Sequence, residues 1–170
     1  MHRPRWGWKK LLLALALIGL GLGWLQDRVR QHRIVARFKD RPEIAFEYWT
    51  GNVSTVFLRG RSSDFGDADL AGLVGLRHLD ALNLSYSQVS DAGLVHLKEF
   101  PNLQSLDVDC TPVTNAGLVR IKECPRLTVL SVLVTQITDE REQELTEAMP
   151  DLQIRKYHLI DGMRVGDGYQ

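Results

Sequence analysis

The chain has 170 residues, room for one domain, and its 21 Lys and Arg balance 21 Asp and Glu at a formal net charge of zero. A neutral total offers no global field for holding nucleic acid or an acidic substrate. Two cysteines, Cys110 and Cys124, are too few for a disulfide framework and sit in no CxxC or Cys/His cluster, so they say little about redox compartment.

The neutral total hides an uneven layout. The first 41 residues hold Arg3, Arg5, Lys9, Lys10, Arg28, Arg30, Arg33, Arg37, Lys39 and Arg41 against Asp27 and Asp40. A basic start around an apolar run points to a membrane surface before nucleic acid. Behind a basic tail at 1–10, residues 11–25 read LLLALALIGLGLGWL without a charge. As a helix this run is about 22 Å long at ~1.5 Å per residue, short of the ~30 Å hydrocarbon core. Trp6, Trp8 and Trp24 stand at its ends, where interfacial aromatics belong, and Lys9 and Lys10 can snorkel to headgroups. An uncleaved transmembrane anchor is the favoured expectation. A cleaved signal peptide competes, but its best small-x-small site, Gly21-Leu22-Gly23, runs into Trp24. A buried core helix fits poorly, because the run has no polar face. Orientation stays open: the arginines after the run favour a cytoplasmic C-terminal side, whereas a short charged N-terminal tail ordinarily stays inside.

Residues 26–38, QDRVRQHRIVARF, form a basic helix that Pro42 ends by Arg41. The segment 26–41 is expected to be a helical stalk, either solvated or with its arginines on anionic headgroups. A cap strand region at 42–52 precedes a repeat domain at 53–158.

The repeat decides the fold. The segments LDALNLSYSQVSDAGLVHLKEFPN from Leu79 and LQSLDVDCTPVTNAGLVRIKECPR from Leu103 share one frame of 24 residues. A third copy from Leu127 carries one extra residue, a degenerate copy starts at Val53, and a partial one at Leu152. The first, fourth and sixth positions are apolar: Leu79, Leu82, Leu84; Leu103, Leu106, Val108; Leu127, Leu130, Val132. Alternation at the fourth and sixth suits a strand with one buried face. Ser87, Thr111 and Thr135 can satisfy turn backbone, and Val89, Val113 and Ile137 point inward again. Ser90, Thr114 and Thr138 are suited to cap a following helix, with Asp91 or Asp139 adding charge at its positive end. Leu94 and Leu97, then Leu118 and Ile121, fall on that helix's buried side. Pro101, Pro125 and Pro150 return the chain to the next strand. No unit buries its apolar residues alone, so stacking is required.

The SDAGL and TNAGL segments, followed by FPNLQSL and CPRLTVL, resemble bacterial leucine-rich-repeat proteins built from VTDAGLxxLxxLPxLxxLxL units. The resemblance covers about residues 53–157 and extends more weakly upstream, where such proteins often carry an anchor, a basic helix and an aromatic strand. Here these correspond to 11–25, 26–38 and 44–49. Cys124 before Pro125 also looks like the cysteine of related repeats in F-box adaptors, but no F-box segment is present and no adaptor role follows. The resemblance implies an α/β, right-handed solenoid with a parallel concave sheet and outer helices, here preceded by an N-terminal transmembrane helix. In the third unit DERE replaces DAGL, removing the glycine that lets neighbouring turns approach. Arg155 aligns with Leu82, Leu106 and Leu130, which fits a polar terminal cap, or else the extra residue has slipped the register. Residues 159–170, with two Asp-Gly pairs, read as a loose tail.

Little in the sequence speaks for catalysis. His2, His32, His78, His96 and His158 have no sequence partners for a triad or metal pair, and Gly19, Gly21 and Gly23 follow no strand. Cys124 reads as core. Cys110 is more exposed but has no activating neighbour. No catalytic residue, metal or cofactor is assigned. The constellation above background is on the concave face, where strand alternation sends the third, fifth and seventh positions outward. The fifth column runs Phe57, Asn83, Asp107, Ser131, Lys156 and the seventh Arg59, Ser85, Asp109, Leu133, His158, with Tyr86, Cys110 and Val134 beside them. Asp107 and Asp109 lie roughly 6–7 Å apart at their attachment points, too isolated from other carboxylates to suggest a metal. Phe57, Arg59, Asn83, Ser85, Tyr86, Asp107, Asp109 and Leu133 are the expected partner-binding residues. The alternative is that they are merely solvated strand residues. The leading expectation is a non-enzymatic interaction module, held at a membrane of undetermined side, that binds a protein or peptide and touches lipid through its anchor. A structural or accessory subunit of a membrane assembly is the alternative, and an enzyme with a cryptic site is less favoured.

Overall fold

Val56, Leu82, Leu106, Leu130 and Ile154 form one row across five parallel strands, and that row organises the fold. The computed structural model describes residues 7–59, 64–160 and 163–166, with side chains at 21–59 and 64–156. In chain order the elements are α1 (Gly7–Arg37), β1 (Ile44–Trp49), β2 (Asn52–Leu58), α2 (Asp67–Gly72), β3 (Ala81–Asn83), a 3-10 helix (Gly93–Glu99), β4 (Ser105–Asp107), α3 (Asn115–Ile121), β5 (Val129–Ser131), α4 (Asp139–Ala148), β6 (Gln153–Arg155), β7 (Tyr157–Ile160) and β8 (Met163–Gly166). Strands β1 to β6 make one sheet in sequence order, antiparallel only at β1–β2. Each helical segment after β2 therefore serves as a crossover between parallel neighbours. This is a leucine-rich-repeat α/β solenoid with a parallel sheet.

Burial follows the repeat. Leu79, Leu82, Leu84, Leu94, Leu97, Leu103, Leu106 and Val108 are all at most 1% exposed, and equivalent residues of successive units merge into one core. Truncating any of them leaves a void that neighbours on both sides feel, because interiors are close-packed.

The last strand corrects the alignment. Leu130 pairs with Ile154 and Ser131 with Arg155. Strand to strand the third unit has the same 24 residues as the others, from Leu130 to Ile154 as from Leu106 to Leu130, so it carries no extra residue. Leu152 stands two places before the inward residue where Leu127 stands three. Ile154 takes the inward place, and Arg155 is no replacement for a core leucine. The fifth column thus ends at Arg155 rather than Lys156, and the seventh position passes to Tyr157 instead of His158. Lys156 binds the start of α4 through Asp139 and Glu142.

The N-terminal end of the stack is closed by α1. Gln31, Ile34 and Phe38 are buried along one side of the helix, and Phe38 packs against Phe46 with ring centroids 6.1 Å apart. Gln31 uses its amide at both ends: Nε2 donates to Asn52 Oδ1 at 3.0 Å, and Oε1 accepts from Val53 N at 2.9 Å. Val53 would otherwise bury an unpaired N–H at the start of β2. Arg41 then ties the chain leaving α1 to Glu43 and to Asp69 of α2. Within the basic segment, Gln31, Ile34 and Phe38 thus dock on the first repeat, while Arg30, Arg33 and Arg37 stay exposed.

Helix α1 also carries residues 11–25, most of whose side chains lie outside the described residues. Among the described residues, no helix is long and apolar enough to cross a membrane. Strands β7 and β8 pair antiparallel in a second, two-stranded sheet where a loose tail was expected. The sequence between them is Asp-Gly, a dipeptide that favours two-residue hairpin loops.

Candidate binding face

The outward row opposite the core leucines is Phe57, Asn83, Asp107, Ser131 and Arg155, in register on β2 to β6. Its members are bonded across the strands. Asn83 Nδ2 donates to Asp107 Oδ2 at 3.0 Å, while Asn83 Oδ1 accepts from Ser85 N at 2.9 Å. Asp109 Oδ1 accepts from Ser131 Oγ at 2.7 Å and from Leu133 N at 2.8 Å. Asn83 and Asp109 therefore fasten the chain where it leaves the sheet, and part of their reason for being there is structural. At the first strand Arg59 lies over Phe57, its guanidinium carbon 5.9 Å from the ring centroid. The structure brings together Asn83, Ser85, Asp107, Asp109 and Leu133 through direct bonds or strand register. Phe57 and Arg59 stand at the near end of the row.

Asp107 is the electrostatic anomaly of this face. Burial pushes its carboxyl above the ordinary aspartate range, the neighbouring Asp109 charge pushes it further, and Arg155 pulls it back in part. Its carboxylate also accepts from Asn83 Nδ2, the one side-chain donor bonded to it among the described residues. Among the described residues no group of three His, Cys, Asp or Glu could hold a metal ion.

Tyr86, Cys110 and Val134 share a feature not evident in their residue types. Their φ angles are 62°, 53° and 54°, in the left-handed region, where Val is a marked outlier. Tyr86 N donates to Asp109 O at 2.8 Å and Cys110 N to Leu133 O at 2.7 Å, which holds the bend in place. Because the same strain recurs once per repeat, it belongs to the turn that ends each strand and marks no single active position. The Cys110 thiol is partly exposed. The buried Cys124 thiol is pushed up to about 11 by burial and by the charge of Glu123, so it stays protonated and acts as core.

A second ladder runs along the helix starts. Asp67 accepts from Ser90 N at 2.8 Å and from Ser90 Oγ at 2.7 Å. Asp91 does the same for Thr114, at 2.8 and 2.6 Å. Asn115 Oδ1 accepts from Thr138 N at 2.9 Å. Asp91 was expected to complement its own helix dipole, but its carboxylate instead grips the capping residue of the following repeat. Thr114 in turn accepts from Ala116 N as the cap of α3, and Ser90 accepts from Ala92 N in the turn before the 3-10 helix, whose own cap position, Ala92, has no side-chain bond. Thr138 makes no such cap bond. The periodic spacing of Asp67, Asp91 and Asn115 was the available signal for the ladder, but an acid at a helix start reads equally well as a local cap.

Comparison with known proteins places residues 75–98 and 101–122 on a family model described as Leucine Rich repeat. No curated protein is similar enough in sequence to register as a match. Among solved structures the chain is similar to an internalin C2 from Listeria monocytogenes, with 23% identity and a TM-score of 0.46 over 60% of this chain and 40% of that one. The chain thus spans less than half the length of that protein.

Proposed function

We propose that the chain is a protein-interaction module that receives a protein or peptide segment on the outward face of β2 to β6. The observation that carries this reading is Asp107. It is a half-buried carboxylate beside Asp109, incompletely compensated, at the middle of an otherwise hydrogen-bonded row. A lysine or arginine presented by a partner would relieve that cost on docking, a gain available only in the complex. Phe57 at one end and Leu133 further along supply apolar area flanking the acidic centre. Non-enzymatic leucine-rich repeats commonly work this way, stacking strands into an extended recognition surface.

The module is held at a membrane by α1. Leu22, Trp24 and Leu25 of this helix are 54%, 56% and 52% exposed, an unfavourable amount of apolar surface to leave in water at one end of a helix. In sequence, these three residues close the uncharged run 11–25. Because Gln31, Ile34 and Phe38 fix α1 to the first repeat, such an anchor would set the orientation of the binding face.

The test is capture of binding proteins from membranes with the intact chain, with D107N/D109N, and with K98Q on the outer helical side. D107N/D109N is expected to lose capture while keeping a cooperative melt, and K98Q to retain capture. Equal capture by all three contradicts the assignment of the binding face.

A further inference from the structure

We propose that the groove between α1 and the first repeat is a site for the headgroup of an anionic phospholipid, a reading that rests on the anchoring role given to α1. The groove has a volume of about 570 Å³ and runs along α1 from Leu25, Gln26 and Val29 past Arg30, Arg33 and Ile34 to Arg37, with Val74 of the first repeat opposite. Helical spacing places Leu22, Leu25, Gln26, Val29 and Arg33 on the side of α1 opposite the buried Gln31, with Arg30 at its border beside Ile34, which also lines the groove. Along that side the residues pass from apolar to basic as the chain leaves the run at 11–25. This is the gradient required of a helix emerging from hydrocarbon through phosphates into water.

The dimensions select which arginines take part. At ~1.5 Å per residue, Arg30 stands about 7–8 Å and Arg33 about 12 Å beyond Leu25. The headgroup layer of one leaflet is roughly 5–8 Å deep. Helical side chains lean toward the N-terminus, here toward the bilayer, so both guanidinium groups reach that layer. Arg37, about 18 Å beyond Leu25, lines the outer end of the groove, beyond the headgroup layer. The stem of Arg30 is held over Gly75, where a Cβ would come within 3.2 Å of Arg30 Cδ. Its only ion pair among the described residues is with Asp27 on the same helix at 3.9 Å, and Arg33 makes none. Two cations above an apolar floor of Leu25, Val29 and Val74 complement a phosphodiester whose glycerol and first methylenes lie beneath it. Gln26 adds a neutral donor at the same depth.

The experiment uses the full chain purified in a non-ionic detergent. Thermal unfolding is followed on titration with dioctanoyl-phosphatidylglycerol, dioctanoyl-phosphatidylcholine or inorganic phosphate, since a ligand that binds the folded state raises the melting temperature. The expected result is stabilisation by the glycerol lipid alone, weakened by added salt. Two lost arginine–headgroup contacts should weaken its apparent affinity roughly 30-fold in R30Q/R33Q, and K98Q/K122Q should leave it unchanged. R33Q by itself keeps the test available if loss of the Arg30 stem unfolds the cap. Equal stabilisation by both lipids, an undiminished response in R30Q/R33Q, or the same response to inorganic phosphate would overturn the headgroup site. Carbonate extraction from vesicles of each lipid reports separately on the anchor. A chain that is extracted yet still responds to the glycerol lipid refutes the anchor and leaves the headgroup site standing.

Discussion

A Cβ on Gly117 would stand 2.3 Å from Asp91 Oδ1, the oxygen that also accepts from the backbone of Thr114. The glycine of the NAGL segment is thus required by a carboxylate one repeat away, not by its own backbone conformation. Gly93 stands in the same relation to Asp67, also at 2.3 Å. In the third unit the bridging residue is Asn115 and the glycine position is Arg141, so the motif's glycine disappears together with the acid it accommodates.

That relation is measurable as a coupling. D91A removes an ionised acceptor from two donors of Thr114 and should cost about 1.5–3 kcal/mol. G117A should cost about 1–3 kcal/mol by crowding the same carboxylate. In D91A/G117A the clash with the carboxylate is gone, and the closer remaining neighbour is Leu94 Cδ1 at 2.9 Å, the end of a flexible side chain. Denaturant melts should therefore give less than the sum of the single effects by ~1 kcal/mol or more. Additivity within about 0.5 kcal/mol would show that the two residues do not share this space.

The core makes a simpler demand. Leu106 is fully buried on β4, with a leucine in register on either side. L106A should cost ~2–5 kcal/mol in urea melts. Each repeat contacts only its neighbours, so a loss in the middle weakens two interfaces at once. A cost below ~1 kcal/mol would contradict the register.

The cap depends on Gln31. Q31L keeps the volume roughly constant but leaves Val53 N buried without an acceptor, at an expected cost of ~1–3 kcal/mol. The loss should fall first on α1, so limited proteolysis should cut between Arg37 and Glu43 in Q31L before it cuts the repeats. Wild-type resistance at that segment would mean that Gln31 does not hold the helix in place.

Much of this was readable in the residues, because repetition makes weak signals coincide. The 24-residue frame set out the strands, their inward leucines, the capping hydroxyls and the proline returns, and the structure follows it through β5. The last strand departed from the alignment because Leu152, read as the first position of its unit, stands two residues before the inward Ile154 and not three, and a slip of one exchanges the two faces of a strand. Docking of α1 left a faint trace in Gln31, Ile34 and Phe38, at helical spacing within a segment dominated by arginines. The Asp67–Asp91–Asn115 ladder was hidden because a helix-start acid has a sufficient local explanation. The left-handed turns at Tyr86, Cys110 and Val134 had no signal in residue type. On the candidate face, sequence located the outward positions but not the division of labour: Asn83 and Asp109 fasten turns, leaving Asp107 as the strained charge.

Asp107 predicts its own pH dependence. Its carboxyl is raised in the folded chain, first by burial and then by Asp109. The folded state therefore binds more protons than the unfolded state between the ordinary aspartate pKa and the raised one, and stability falls as pH rises through that window. The destabilisation is fully present above the raised pKa and absent below the ordinary value of about 3.9. D107N retains an amide oxygen for Asn83 Nδ2 and removes the charge. It should melt higher than wild type at pH 7, with the difference fading on acidification. A D107N chain less stable than wild type at pH 7 would show that the charge is already well compensated.

Site-specific photocrosslinking in native membranes tests the binding face most directly. A photoreactive side chain replaces Ser105 or Val129, on the outward face beside Asp107, or Lys122 or Val119, on the exposed side of α3. Crosslinks to a discrete protein from Ser105 and Val129, lost when D107N/D109N is added and absent from Lys122 and Val119, are the expected result. Crosslinks confined to Lys122 and Val119, with none from the sheet, would contradict the account.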